Sequence, residues 1–230
     1  MQLFYEPEAV QGDFILNKEE ATHCIKVLRK KAGDQIHVTD GKGHGYTCII
    51  SDDNIKKCLL RVVDTELQPK PSRYRHIAIA PTKNLDRMEW FVEKAVEIGI
   101  DELSFIICDN SERKVLKTDR LEKKAVSAMK QSLKYQLPQL NEAVPFTRWI
   151  KGLDAIPHKF IAYVDFDNPK QLIHCLADDG AYLVLIGPEG DFSEKELTLA
   201  LENAFEKVSL GNSRLRTETA GMVACHILNL

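Results

Sequence analysis

From residue 76 to the end of the chain, short apolar runs alternate with segments at helical spacing, and this alternation most constrains the fold. HIAIA (76–80), LSFIIC (103–108), FIAYV (160–164), YLVLI (182–186) and VSL (208–210) read as strands. Asp86, with Glu89 three residues later, has the spacing of a helix start, and Met88, Phe91, Val92, Ala95 and Val96 recur at helical spacing up to Gly99. Residues 118–136 read as a basic helix stopped by Pro138. Ser193 and Glu196 have capping-box spacing, with Leu197, Ala200, Leu201, Ala204 and Phe205 along one face. A last helix, 217–229, carries Ala220, Val223, Ala224, Ile227 and Leu228 as a stripe. YLVLI has no polar face apart from the tyrosine hydroxyl, as expected of a strand buried on both sides. Strands alternating with helices predict an α/β fold around a mostly parallel sheet.

The first seventy residues have a different texture. LFY (3–5), QIHVTD (35–40), YTCII (46–50) and CLLRVVD (58–64) read as short strands, with the glycine-rich DGKGHGY (40–46) as a hairpin connection. One helix, about 18–30, starts at Asn17 with Glu20 three residues on. Gln68-Pro69-Lys70-Pro71-Ser72 is the linker candidate. The expected division is therefore a small β-rich domain, 1–70, and an α/β domain, 71–230.

Composition removes several classes. Of 230 residues, 44% are hydrophobic and 28% charged, ordinary globular usage that argues against collagen-like or disordered chains. No apolar run is long enough to cross a bilayer, and Glu6 and Glu8 stand where a secretory signal would carry Lys or Arg. The expectation is a cytoplasmic protein with no membrane association. Cys24, Cys48, Cys58, Cys108, Cys175 and Cys225 are scattered without a CxxC pair, so they read as reduced thiols and no metal is expected. Net charge is −3, unevenly distributed: residues 71–150 carry 14 Lys+Arg against 11 Asp+Glu, and residues 151–230 carry 7 against 12. A polyanion suits the first two thirds better than the last.

Ligands of open α/β sheets bind at the carboxyl ends of strands, which singles out two loops. Gly187-Pro188-Glu189-Gly190-Asp191-Phe192-Ser193 follows YLVLI, and Leu210-Gly211-Asn212-Ser213-Arg214-Leu215-Arg216-Thr217-Glu218-Thr219-Ala220 follows VSL. No GxGxxG follows the first strand of the sheet, and GxxxxGK[ST], GxSxG and HExxH are absent from the chain.

"LVLIGPEGDFSEKEL" with "SLGNSRLRTETA" resembles the C-terminal signature of the bacterial ribosomal RNA uracil-N3 methyltransferases, the RsmE family of the SPOUT superfamily. "RMEWFVEKAVEIGI", "NSER" (110–113), "AMKQSLKYQLP" (128–138) and "HCIKVLRKKAGDQIHVTDGKG" (23–43) resemble further stretches of that family, in the same order. The chain departs from the family pattern at three places: Asp191 stands where a second glycine is usual, Ser213 where an arginine is usual, and Lys134 where an arginine is common. The resemblance implies an N-terminal PUA-like β-barrel that binds RNA and a SPOUT domain with a trefoil knot. It implies S-adenosyl-L-methionine as cofactor and a homodimer. Its implied substrate is 16S ribosomal RNA or the small ribosomal subunit, methylated at N3 of one uridine, conventionally position 1498. The implied cofactor-binding residues are Gly187, Pro188, Glu189, Gly190, Leu210, Gly211, Leu215 and Thr217.

Neutral uracil is a poor nucleophile, so such an enzyme must orient the base, accept the N3 proton and stabilise the developing anion. Glu218 and Glu189 are the candidate proton acceptors, and Arg216 or Arg113 can stabilise the anion or hold phosphate. Arg216 and Glu218 are taken as the catalytic pair, although Glu218 also suits a helix N-terminus by charge alone. Lys26, Arg29 and Lys30 form a basic helix end, suited either to that helix or to phosphate contact. Gln131, Ser132 and Lys134 join them and Arg113 as candidate RNA-binding residues. Phe166 and Phe192 are aromatic candidates for stacking or for core. A non-catalytic RNA-binding assembly factor, or a knotted methyltransferase acting on a different RNA atom, remains the alternative.

Overall fold

The computed structural model describes residues 2–151, 153, 156–164 and 170–230, so Phe166 lies outside the described residues. The chain forms two compact units. The first comprises residues up to Lys70 together with Val126–Leu137, and the second Pro71–Ala125 with Pro138–Leu230.

The first unit is built on β1 (Leu3–Tyr5), β2 (Asp13–Leu16), β3 (Gln35–Thr39), β4 (His44–Asp52) and β5 (Cys58–Leu67), in spatial order β1-β3-β4-β5-β2. β1 runs parallel to β3, and the remaining pairs are antiparallel. Register shifts at Thr47/Cys48 and Ile50/Asp52 in the long β4–β5 pair increase twist and bend, consistent with a curled half-barrel. Phe4, Leu16, Ile36, Val38, Ile50 and Leu60 fill its core. The β3–β4 connection is tied by Asp40, whose carboxylate accepts from the backbone N–H groups of Lys42 (2.7 Å) and His44 (3.1 Å).

α1 (Lys18–Thr22) starts where the sequence places it, with the Asn17 side chain accepting from the Glu20 N–H. The reciprocal half of the box is supplied by Glu6, which accepts from the Asn17 N–H at 2.7 Å, while Glu20 pairs with Lys130. The helix expected to reach residue 30 instead becomes a π-helical turn at His23–Val27 and ends before Arg29, which takes a left-handed φ of 57°. The segment Val126–Leu137 holds to this unit through Tyr135. Its N–H donates to the Gln68 side chain (2.7 Å), its carbonyl accepts from the Gly43 N–H (2.9 Å), and its hydroxyl donates to Glu66. A Cβ on Gly45 would stand 2.4 Å from the Tyr135 ring, so this position requires glycine.

In the second unit β6 (Arg73–Ile79), β7 (Glu102–Ile107), β8 (Gln139–Pro145), β9 (His158–Ala162), β10 (Gly180–Ile186) and β11 (Glu206–Val208) form one sheet in order β11-β9-β10-β6-β7-β8. Every pair is parallel. Building outward through β7 and β8 and then returning on the far side of β6 leaves a switch in direction between β6 and β10, where such sheets bind ligands. Tyr182, Leu183, Val184 and Leu185 are fully buried, as their unbroken apolar run requires. β2 and β8 are strands absent from the sequence reading; both lie at sheet edges.

The helices of this unit are α2 (Leu85–Ile98), α3 (Asp119–Gln131, whose last residues belong to the first unit), α4 (Phe146–Trp149), α5 (Glu194–Glu202) and α6 (Thr217–Ile227). Asn84, not Asp86, caps α2, its side chain accepting from the Asp86 N–H. The helix expected to run to 136 stops at Gln131. The Ser132 hydroxyl bonds back to the Ala128 carbonyl at 2.7 Å, and Leu133 takes a left-handed φ of 55°. α5 has the full capping box of Ser193 and Glu196. On α6, Ala224 and Leu228 are buried in the unit's own core, whereas Ala220, Val223 and Ile227 are half-buried. No helix among the described residues is long and apolar enough to cross a membrane.

Candidate active site at the carboxyl ends of the parallel strands

The loop after β10 is a tight turn closed by the Asp191 N–H donating to the Pro188 carbonyl at 2.9 Å. A Cβ on Gly187 would lie 3.1 Å from the buried Phe192 ring, so bulk there would press on the turn. Asp191 adopts a left-handed φ of 61°, the conformation for which the family's usual glycine is suited, and aspartate is among the side chains that tolerate it. Its carboxylate accepts from the Phe192 N–H at 2.8 Å. Burial raises its pKa, opposed by backbone hydrogen bonds from Phe192 and Val164 and by the charge of Arg214.

The loop after β7 clasps this turn. The Asn110 side chain donates to the carbonyls of Gly190 (3.2 Å) and Asp191 (3.1 Å). The Asp109 N–H donates to Glu196 (2.9 Å), and the Ser193 hydroxyl donates to the Asp109 carboxylate (2.8 Å). Arg113 donates from Nε to the Thr82 carbonyl (3.2 Å) and from Nη2 to the Lys83 carbonyl (2.6 Å), fixing the loop between β6 and α2. That loop is also reached by Glu189, which accepts from the Lys83 N–H at 3.2 Å. Three strand-end loops are therefore tied together by side chain-to-backbone hydrogen bonds.

In the loop after β11, the Ser209 hydroxyl accepts from the Gly211 N–H (3.2 Å) and donates to its carbonyl (3.0 Å). Gly211 has φ 122°, and no atom lies within 4 Å of the place its Cβ would take. The Cβ side of Gly211 thus opens onto free space while Ser209 holds its N–H and carbonyl, and Arg214 of this loop acts electrostatically on Asp191 of the loop after β10; the result is an open cradle where a ligand can approach the main chain closely. Leu210 and Leu215 are half-buried in this loop, Arg216 is exposed at the N-cap of α6, and Thr217 and Glu218 are buried in its first turn. The Arg87 Nε lies 3.7 Å from the Glu218 carboxylate, so the arginine facing this glutamate comes from α2. A hollow of about 340 Å³ opens here, lined by Asp86, Arg87, Trp90, Arg216, Glu218 and Thr219.

The second unit therefore holds the eight candidate cofactor residues, Arg216, Glu218 and Arg113. Lys26, Arg29, Lys30, Gln131, Ser132 and Lys134 belong to the first unit. Lys26 and Arg29 are exposed around the π-helical turn, Gln131 ends α3, and the Ser132 hydroxyl is engaged with backbone carbonyls. Sequence reasoning missed Arg87, Trp90, Asp109 and Asn110. Trp90 carried a signal, because it lies off the apolar stripe of α2. No group of three or more metal-ligating side chains occurs among the described residues. None of the six cysteines forms a disulfide, and burial raises the Cys24 and Cys58 thiols to about 11 and Cys48 to about 12.

Residues 69–229 match the model of an RNA methyltransferase domain, and residues 16–63 that of an RNA methyltransferase PUA domain. A ribosomal RNA small subunit methyltransferase E of Mesomycoplasma hyopneumoniae is 26% identical over 227 residues, covering 96% of each chain. A probable rRNA-methyltransferase of Porphyromonas gingivalis superposes with a TM-score of 0.90 at 46% identity, covering 98% of this chain and 95% of the other. The ribosomal RNA small subunit methyltransferase E of Neisseria gonorrhoeae, solved bound to S-adenosyl methionine, superposes at 0.86 with 25% identity, covering 98% and 95%. With the family model spanning most of the chain and the parallel-sheet loops built as described, this chain belongs to the RsmE-type RNA methyltransferases of the SPOUT superfamily.

Proposed function

We propose that this protein transfers a methyl group from S-adenosyl-L-methionine to N3 of a uridine in 16S ribosomal RNA of the small ribosomal subunit. The observation that carries the proposal is the buried Glu218 carboxylate at the start of α6. It lies in the chain next to the open Gly211 loop and faces Arg87. The cofactor supplies an electrophilic methyl on a sulfonium. The Gly187–Gly190 turn, Leu210, Gly211, Leu215 and Thr217 hold it through main chain and apolar contact. Glu218 takes the proton from N3, the nitrogen lone pair forms the new bond to the methyl carbon, and the carbon–sulfur electrons return to sulfur. Arg216 offsets the charge that develops on the uracil oxygens.

In this reading residues 1–70 form a PUA-like RNA-binding domain and 71–230 the methyltransferase domain, threaded as a trefoil knot. Lys26, Arg29, Lys30, Gln131, Ser132 and Lys134 hold RNA. Arg113 contributes to RNA through the guanidinium donors not committed to Thr82 and Lys83. Two copies pair through the half-buried face of α6 around Ala220, Val223 and Ile227, since a self-complementary patch favours a two-fold dimer.

The deciding test incubates the protein and cofactor with small subunits from a strain lacking the orthologous gene, then digests the 16S RNA for mass spectrometry. The expected product is one N3-methyluridine per subunit, lost with Glu218→Gln. Methylation at another atom would overturn the assignment, and sedimentation of an active monomer would remove the dimer.

A further inference from the structure

We infer that the hollow beside Glu218 receives the target base, with the Trp90 indole stacked on the uracil face and Arg87 reading its edge together with Glu218 and Arg216. This rests on the reading of Glu218 as proton acceptor and adds to it the residues that select the base. Trp90 is 41% exposed, although its helix buries Met88, Phe91, Val92, Ala95 and Val96 almost completely. It therefore stands at the edge of the core stripe rather than within it, and it lines a hollow of about 340 Å³. That volume is at the lower end of small-molecule sites, suited to a single base with part of its sugar.

The other walls are polar and of complementary charge. Arg87 lies one helical turn before Trp90 on α2, with its Nε 3.7 Å from the Glu218 carboxylate. Arg216 borders the same hollow from the N-cap of α6. Of the two carboxylates at the hollow, Asp86 is exposed and lies 3.7 Å from Arg120, so the buried Glu218 is the acceptor set among the donors of the two guanidinium groups. Uracil presents the matching edge, an N3–H donor between the O2 and O4 acceptors. Cytosine presents an unprotonated N3, a lone pair turned toward a carboxylate, and is disfavoured. Aromatic stacking supplies affinity without distinguishing bases, so affinity is assigned to Trp90 and selectivity to the polar pair.

The test uses the full chain with Trp149→Phe, which leaves Trp90 as the only tryptophan. A short single-stranded oligoribonucleotide containing one uridine is titrated while indole fluorescence is followed, alongside the same oligonucleotide with cytidine in its place. The uridine oligonucleotide is expected to quench more strongly and to bind more tightly. In the parent chain, Trp90→Ala should weaken uridine binding by roughly ten-fold, in line with loss of a single stacked base. Trp90→Phe should retain most of the affinity, and Arg87→Leu should reduce the preference for uridine over cytidine. S-adenosylmethionine affinity, measured by calorimetry, should be unchanged in all three variants.

Equal binding of the uridine oligonucleotide by Trp90→Ala and the parent would overturn the inference. So would a parallel loss of cofactor affinity, or a Trp90→Ala change confined to the monomer–dimer equilibrium, which would assign this face to a second copy. If Glu218→Gln still methylates uridine N3 while Trp90→Ala loses uridine binding, the base pocket stands and the proton-acceptor reading falls. If Glu218→Gln is inactive and Trp90→Ala binds normally, the reverse holds.

Discussion

Gly221 offers a quantitative check on how α6 is seated. It faces β6 and α2, where a Cβ would stand 2.7 Å from Phe91 Cε2 and 2.9 Å from Ile79 Cδ1. Carbon atoms prefer about 3.5–4.0 Å, so Gly221→Ala creates overlaps on the order of 1 Å. Phe91 and Ile79 are fully buried and have no free space to yield into. Overpacking a close-packed core costs about 1–3 kcal/mol. Alanine in a helix interior recovers about 1 kcal/mol relative to glycine. Two overlaps against fixed neighbours place the cost near the top of its range, for a net loss of about 2 kcal/mol. For a chain of this length, roughly 2–4 °C per kcal/mol gives a fall in Tm of about 4–8 °C. Calorimetry of the purified variant reads this directly. Activity should fall by more than stability accounts for at a temperature where the variant is folded, because Glu218 lies one turn before Gly221 and moves with the helix. A Tm equal to or above that of the wild type would mean that helix propensity dominates, and would refute the described packing of α6 on Phe91 and Ile79.

Gly211→Val should abolish S-adenosylmethionine binding with an unchanged circular dichroism spectrum, since φ 122° is unsuited to a β-branched residue and the added methyls enter the open cradle; normal calorimetric affinity would remove that loop from the cofactor site. Replacing Arg29 and Lys30 together with Ala should weaken RNA binding and flatten its salt dependence by about one slope unit per lost phosphate contact. An unchanged slope would reduce this cluster to a helix-end feature. His76 is buried against Ser104 and Trp149, and burial lowers its pKa from 6.5 to about 4 despite Glu102 at 3.6 Å. Its neutral form is native, and the unfolded chain takes up the proton first. Stability should therefore be full above about pH 6.5 and fall by up to about 3 kcal/mol as pH drops toward 4. Urea titrations of His76→Gln should show a flatter slope through that window, and parallel slopes would refute the assignment.

Much of the second unit was legible because its signals are local. YLVLI is apolar apart from the Tyr182 hydroxyl and lies in the middle of the sheet, and the Ser193–Glu196 capping box forms as its spacing implies. β8 escaped because QLNEAVP carries polar residues in its interior and pairs on one side only, where exposure relaxes the demand for apolar residues. β2, DFIL, is also an edge strand, with its pattern of alternating burial confined to four residues. The early end of α1 was illegible for a different reason. The spacing through Lys30 is compatible with continued helix, but the π-helical turn and the left-handed Arg29 are tertiary choices that residue propensities do not encode. At the site, glycines and the LRTETA stretch marked the loops by composition, whereas Arg87 opposite Glu218 depends on α2 packing beside α6 and has no local signal.

The NSER stretch shows how a short motif can organise a site without itself being chemically reactive. Asn110 holds the carbonyls of Gly190 and Asp191, and Ser111 accepts the Cys108 N–H at 2.9 Å to close the turn that presents it. Glu112 pairs with Lys83 at 2.8 Å at the exposed surface, where such a pair contributes little to stability, while Arg113 fixes the successive carbonyls of Thr82 and Lys83. Apart from the Glu112–Lys83 pair, each of these ties meets backbone, so the loops are located by atoms that every residue type possesses. A planar guanidinium reaching two successive carbonyls is a geometry that lysine does not reproduce. The requirement for arginine at 113 is then met by loop geometry alone, and any contact with RNA is additional to it. The same economy accounts for Asp191. In the left-handed conformation, where glycine would serve sterically, its carboxylate accepts the Phe192 N–H and faces Arg214, linking the loop after β10 electrostatically to the loop after β11. Glycine at 191 would keep the turn and lose that link.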